Sequence, residues 1–197
     1  MKNLIFLFLT ITQVVHSQIA QNQNNLFYAK EFSKEISLYR AKNFVINQIF
    51  GESNSVMNFE IDALAATSSG ELTSLVYKCE KLEKEGLLLV FYGNYFNENG
   101  AVYQGYGFKN LPKDKALELL QEINDVKINF EHYLYEDLDN NNIYFSYDDL
   151  TFLFYKTLES TRIRVFWKSF DAEWQDVAFM RTKRRFEKKV KYEKSGN

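Results

Sequence analysis

The sequence predicts an α+β fold, a mostly antiparallel sheet built from hairpins and covered by an N-terminal helix, a middle helix and a basic C-terminal helix. Three observations lead there. Strand-like stretches come in groups joined by turn residues instead of alternating with helices, which favours antiparallel pairing over a parallel α/β sheet. Three other segments carry apolar residues at helical spacing. The 197 residues are also 46% hydrophobic and 17% aromatic, enough for a sizeable core and too apolar for a disordered chain.

The N-terminus reads as a targeting segment. Lys2 precedes an apolar run from Leu4 to about Val15, then Val15-His16-Ser17. This is the plan of a secretory signal peptide cleaved before Gln18. The run of roughly 12 residues is shorter than the roughly 20 a spanning helix needs. No later stretch is long and apolar enough to span a bilayer. The expected organisation is a signal peptide at 1–17, a polar flexible leader at 18–25 and one α+β domain at 26–197. Cys79 is the only cysteine, so no internal disulfide forms and stability rests on packing.

The elements follow in order. Phe32, Ile36, Tyr39, Val45 and Ile49 are spaced mostly three to four apart and end at Gly51, the pattern of an amphipathic helix with a glycine stop. "VMNFEIDALAAT" and "ELTSLVYKC" flank Ser68-Ser69-Gly70 as strand, turn, strand. Leu87 to Tyr92 is apolar at successive positions, as in a central strand covered on both faces. "AVYQGYGF" is its partner. Pro112 opens a helix whose Ala116, Leu119, Leu120 and Ile123 share one side. "EHYLYEDLDNNN" reads as a loop. "IYFSYDD", "LTFLFYKT" and "TRIRVFWKSF" read as short strands. From about Glu173, Phe179, Phe186 and Val190 outline a basic amphipathic helix, with a last strand over "EWQDVAFM" as the alternative. The order is helix, four strands, helix, two or three strands, helix. No internal repeat is visible.

The segment Gly93 to Asn110 packs glycines among tyrosines. With Asn99-Gly100 as a two-residue turn, Tyr92 faces Gly107 and Asn94 faces Gly105. The glycines are then gaps covered by aromatic rings across the strands. The dinucleotide-loop reading fails, because Asn110 replaces its third glycine and a hairpin precedes it. Tyr92, Tyr95, Tyr103 and Tyr106 remain a candidate sugar-binding surface, set against ordinary half-buried strand tyrosines.

Motifs for chemistry are sparse. His132 is the only histidine after position 17, which excludes a His-rich metal cluster, and neither HExxH nor GxSxG occurs. Cys79 with His132 is a conceivable nucleophile–base pair that no spacing supports. Glu118 and Glu122 lie one turn apart beside lysines, as on a solvated helix face. Asp137 to Asp148 resembles a calcium loop at its first, third and fifth ligand positions. Asn142 replaces the glycine and Asp148 the glutamate, and an Asx-rich turn is the competing reading. No cofactor and no metal is expected.

Charge is unevenly spread. Arg181 to Lys194 holds eight basic and two acidic residues, on an otherwise acidic chain. Arg181, Arg184, Arg185 and Lys188 are candidate contacts for an anionic surface, against the plainer role of a solvated face paired with the acidic body. Export argues against nucleic acid as a ligand. The richness in lysine, asparagine and phenylalanine suits an exported protein of an AT-rich Gram-negative bacterium. The expectation is therefore a secreted or periplasmic, non-catalytic binding or interaction protein of the cell envelope, with an unknown envelope partner or an anionic surface as its ligand. The alternatives are a secreted carbohydrate-binding protein or a carboxylate-based hydrolase.

Overall fold

The computed structural model describes residues 37–96 and 102–191. The expected signal peptide, the polar leader, the front of the first helix and the Asn99-Gly100 turn lie outside the described residues. The chain divides after Asn43 into two compact units. In the first, residues 37–43 are helical, with Ala41 fully buried and Tyr39 70% exposed. Tyr39 was expected on the inner side. The buried position is a small alanine, which carries little hydrophobic signal.

The second unit, Phe44–Asn197, is an α+β fold with two antiparallel four-stranded sheets. A π-helical turn at Val45–Phe50 comes first. It stops at Gly51, whose positive φ of 80° suits glycine, and the Gly51 N–H donates to the Ile46 carbonyl at 2.9 Å. The first sheet, sheet A, holds β1 (Glu60–Ala66), β2 (Leu72–Cys79), β3 (Lys84–Phe96) and β4 (Val102–Pro112) in sequence order. Two helices follow, α1 (Lys113–Asn129) and α2 (Glu131–Glu136). Sheet B holds β5 (Asn142–Tyr147), β6 (Leu150–Lys156), β7 (Thr161–Trp167) and β8 (Phe170–Glu173), again in sequence order. The last helix, α3, spans Asp176–Lys191. A four-stranded meander followed by helix thus occurs twice, a repeat of plan without a repeat of sequence.

One core serves both sheets. Leu87, Leu89, Phe91 and Leu111 of sheet A meet Phe152, Phe154, Ile163 and Val165 of sheet B, and Ala116, Leu119, Leu120 and Ile123 of α1 pack with them. Phe179, Phe186 and Val190 of α3 complete it. The two amphipathic helices therefore bury the stripes their spacing announced. The opposite side of β3 is also covered. Leu88 and Val90 are buried there, and Phe44 stacks on Phe108 at 5.0 Å. The continuous apolar run of β3 is explained by burial on both faces.

Three departures from the sequence reading have identifiable physical causes. Glu131–Glu136 is helical because Leu134, in its middle, is fully buried in the core. "TRIRVFWKSF" is two strands, with Trp167 paired to Phe170 across a tight turn. That turn uses Lys168 at φ 53°, and the turn between β5 and β6 uses Asp148 at φ 55°. The turn between β7 and β8 carries no glycine or asparagine, so its usual signal is missing. The hairpin of β3 and β4 is shifted by one residue. Tyr92 pairs with Tyr106 and Phe91 with Gly107, where a two-residue turn would set Tyr92 opposite Gly107. A shift of one exchanges the faces of a strand. It turns Gly107 into the core.

Packing explains that register. A Cβ on Gly107 would lie 2.5 Å from Phe170 Cε2 and 2.7 Å from Trp167 Cζ3. The ring of Phe91 sits 5.3 Å from Trp167 and 5.9 Å from Phe170. Gly107 is thus the place where the β7–β8 turn rests on sheet A. Covering of a glycine by a ring across the strands does occur, but at another position. Tyr77 lies over Gly86, its cross-strand partner, and its hydroxyl donates to Asn110 Oδ1 at 2.8 Å. Replacing Gly107 with valine should cost about 1–3 kcal/mol through overpacking. Urea unfolding of Gly107→Val against the parent measures it, and identical midpoints would contradict this account of the junction.

Candidate functional site

The hairpin register sets its four tyrosines in cross-strand pairs. The register pairs Tyr92 with Tyr106 and Tyr95 with Tyr103. The Tyr92 and Tyr106 rings are 4.7 Å apart and tilted by 37°, and Tyr106 continues to Phe108 at 6.4 Å. These two half-buried rings pack on each other, as in a cross-strand aromatic pair.

The cations of α3 divide by direction. At about 100° per residue, Phe179, Thr182, Phe186 and Val190 fall on one side, and all four are buried. Residues flanking that side are tied down. Lys189 pairs with Asp62, and Lys183 pairs with Glu187. Arg185 Nη1 donates to the Leu64 carbonyl at 2.6 Å. Leu64 lies at an irregularity of β1, where the ladder shifts between Ala63 and Ala65. A bulge leaves a carbonyl outside the ladder, and the arginine supplies its donor. Arg185 is therefore a docking residue of the helix. Arg181, Arg184 and Lys188 lie on the opposite, exposed side.

A second charged group was missed by sequence reading. Lys109, on the core side of β4 and 9% exposed, is held by Asp148 Oδ2 at 2.6 Å and by Asp149 Oδ1. Asp149 also accepts from Trp167 Nε1 at 2.8 Å. Burial opposes the charge of Asp149, but the bonds from Lys109 and Trp167 outweigh it and hold the carboxyl below its usual value. Burial likewise opposes the charge of Lys109, and the two carboxylates more than reverse that. The cluster ties β4 to the β5–β6 turn. Next to it, the Tyr147 hydroxyl donates to Glu118 Oε2 at 2.8 Å, and burial together with that carboxylate pushes it up to about 12.

The calcium-loop residues serve other ends. Asp137 Oδ1 accepts from the backbone N–H of Asp139 and of Asn140, both at 3.1 Å, and Asp148 is taken by Lys109. β5 starts at Asn142, where a calcium loop would continue. Cys79 is buried at the end of β2, whereas His132 on α2 is 89% exposed at its side chain and pairs with Glu136. Near the C-terminal part of α3, a shallow groove of about 140 Å³ is lined by Glu60, Asp62, Lys78, Glu85 and Lys189, among others. Three of its charged residues are paired, Lys189 with Asp62 inside the groove and Glu85 with the neighbouring Lys113.

The outer face of sheet B is a further candidate surface. Ladder rows set Tyr144, Leu153, Arg164 and Glu173 side by side, and Thr151, Phe166 and Asp171 in the next row. Tyr144 is 74% exposed and Phe166 36%. Arg162 Nη1 bonds Glu173 at 2.7 Å and Arg164 Nε bonds Asp171 at 2.7 Å, each diagonally across β7 and β8. These bonds fix two guanidinium groups among aromatic and aliphatic side chains. The bond to Asp171 raises the Arg164 guanidinium above its already high ordinary value. The alternation of β5, β6 and β7 was legible in the sequence, but which side faces solvent was not.

Among the described residues, no helix is long and apolar enough to cross a membrane. Comparison with protein families, curated proteins and solved structures finds no match for this chain.

Two outcomes follow. Asp149→Asn should be about 1 kcal/mol less stable than the parent at pH 7, since the charge-assisted bond to Lys109 is half exposed. The lowered carboxyl contributes stability that is present above the ordinary aspartate value of about 3.9 and is lost as pH falls through its lower folded value. The gap between the two proteins should therefore close on acidification, as urea titrations at neutral and acidic pH will show. Arg185→Gln should cost about 1 kcal/mol by leaving the Leu64 carbonyl without its donor, whereas Arg184→Gln should stay within about 0.5 kcal/mol of the parent. Equal losses in the two variants would contradict the division of the α3 cations.

Proposed function

We propose that the protein is exported and acts as a non-catalytic binding protein of the bacterial cell envelope. The observation that carries this reading is the outer face of sheet B. An antiparallel sheet with one face in the core commonly turns polar residues outward. Here the outward rows carry Tyr144, Leu153, Tyr155 and Phe166 together with two arginines held by Asp171 and Glu173. Aromatic residues and arginine supply most of the energy at protein interfaces, and side chains already fixed lose less entropy on binding.

The state of the carboxylates supports binding over hydrolysis. Acid–base work on a substrate calls for one carboxyl held protonated near neutral pH. Asp149 is shifted in the opposite direction, and Asp148 and Asp149 are both spent on Lys109. The mutual packing of Tyr92 and Tyr106 leaves less ring surface for a sugar than a flat platform offers. Export is supported by the charged start, short apolar run and small residue at Ser17.

Mass spectrometry of the natural protein should find Gln18 at the N-terminus, and retention of Lys2 in the soluble form would refute export. A photo-crosslinking residue in place of Phe166 should trap one discrete partner in intact cells. The same probe at exposed Val56 should trap none. Capture that is equal at both positions, or absent at Phe166, would remove sheet B as the binding face.

A further inference from the structure

The outward stripe of α3 presents a second, chemically different surface. Taken at about 100° per residue, Val177, Met180, Arg181, Arg184 and Lys188 fall within an arc of roughly 100°. It lies opposite the buried Phe179, Phe186 and Val190. Val177 is 61% exposed and Met180 44%, at the start of the helix, and the cations follow along about the next two turns. The flanking cations are already engaged, Lys189 with Asp62 and Arg185 with the Leu64 carbonyl on β1, and Lys183 with Glu187 one turn along α3. Arg181 and Arg184 have no ion pair among the described residues. The acidic residues of the body therefore do not account for the whole basic helix.

We propose that this stripe docks on anionic phospholipid headgroups. The proposal deepens the reading of an exported envelope protein and rests on it. Charge complementarity identifies the partner, because Arg181 to Lys194 carries eight basic and two acidic residues on a chain that is otherwise acidic. Its exposed apolar neighbours favour a lipid surface over a soluble polyanion. A cationic helix face with apolar side chains beside it suits the boundary between headgroups and acyl chains. The inner side of α3 is already spent on the core, so the helix lies along the surface without inserting deeply. Salt limits the reach of its field to about 8 Å at physiological ionic strength, which makes this a contact interaction.

The test is cosedimentation of the chain from Gln18 onward with phosphatidylcholine vesicles, with and without phosphatidylglycerol, over a range of salt. Binding is expected only with phosphatidylglycerol, and it should weaken as salt rises. Each surface cation contributes roughly fivefold to such partitioning, so Arg181→Gln/Arg184→Gln should bind roughly 30-fold more weakly. Its unchanged melting temperature will show that the fold is intact, since both side chains point outward. Equal binding to both vesicle types, no binding at low salt, or an unaffected double variant would overturn the proposal. So would binding to soluble heparin with none to vesicles. A natural protein that keeps residues 1–17 would defeat the export reading while leaving the vesicle result as measured.

Discussion

A glycine and a lysine two residues apart on β4 hold the two sheets to each other. Gly107 offers no side chain, so Phe170 and Trp167 of the β7–β8 turn come down onto sheet A against Phe91. Lys109, on the same side of the strand, reaches the β5–β6 turn and takes Asp148 and Asp149. The Trp167 indole joins the two contacts, stacking in the apolar one and donating to Asp149 in the polar one. Burial of a lysine is costly unless it is paired. Two carboxylates meet that cost here, and only when sheet B is in its correct place. The apolar contact supplies adhesion and the ionic one supplies position.

This junction decides much that lies around it. Turning Gly107 inward sets the register of β3 and β4, and the register in turn parts the four tyrosines into two pairs. It also places sheet B with its inner side on the shared core. The outer side, with Tyr144, Phe166 and the paired arginines, is left to solvent. The core then has room for α1 and α3, each of which buries one stripe.

The helix α3 shows how one composition can serve two ends. Its cations read as a single basic block along the sequence. In three dimensions, those on the flanks meet Asp62, Glu187 and the Leu64 carbonyl, and Arg181 and Arg184 on the crest meet none of these. The bulge in β1 matters here, because it leaves the carbonyl that Arg185 finds. Docking and display are separated by less than a turn of helix.

Local signals carried most of the elements. The helical spacing in α1 and α3, the Ser68-Ser69-Gly70 turn and the doubly apolar β3 were all legible, because each depends on neighbours a few residues away. The turn at Lys168 and the one-residue shift of the β3–β4 ladder were not. The first lacks glycine, and the second follows from rings sixty residues further along the chain. The same holds for the sites. Composition alone marked Arg181, Arg184, Arg185 and Lys188 as a group, but only the fold separates Arg185 from the rest, through a carbonyl of β1. Lys109, Asp148 and Asp149 looked like unrelated charges, since nothing local distinguishes a buried lysine from a solvated one. Sequence by itself determined the class of fold and the inner faces of α1 and α3, because periodicity is a local property. Tertiary structure decided which charges meet and which surface stays open, because those depend on where distant strands come to rest.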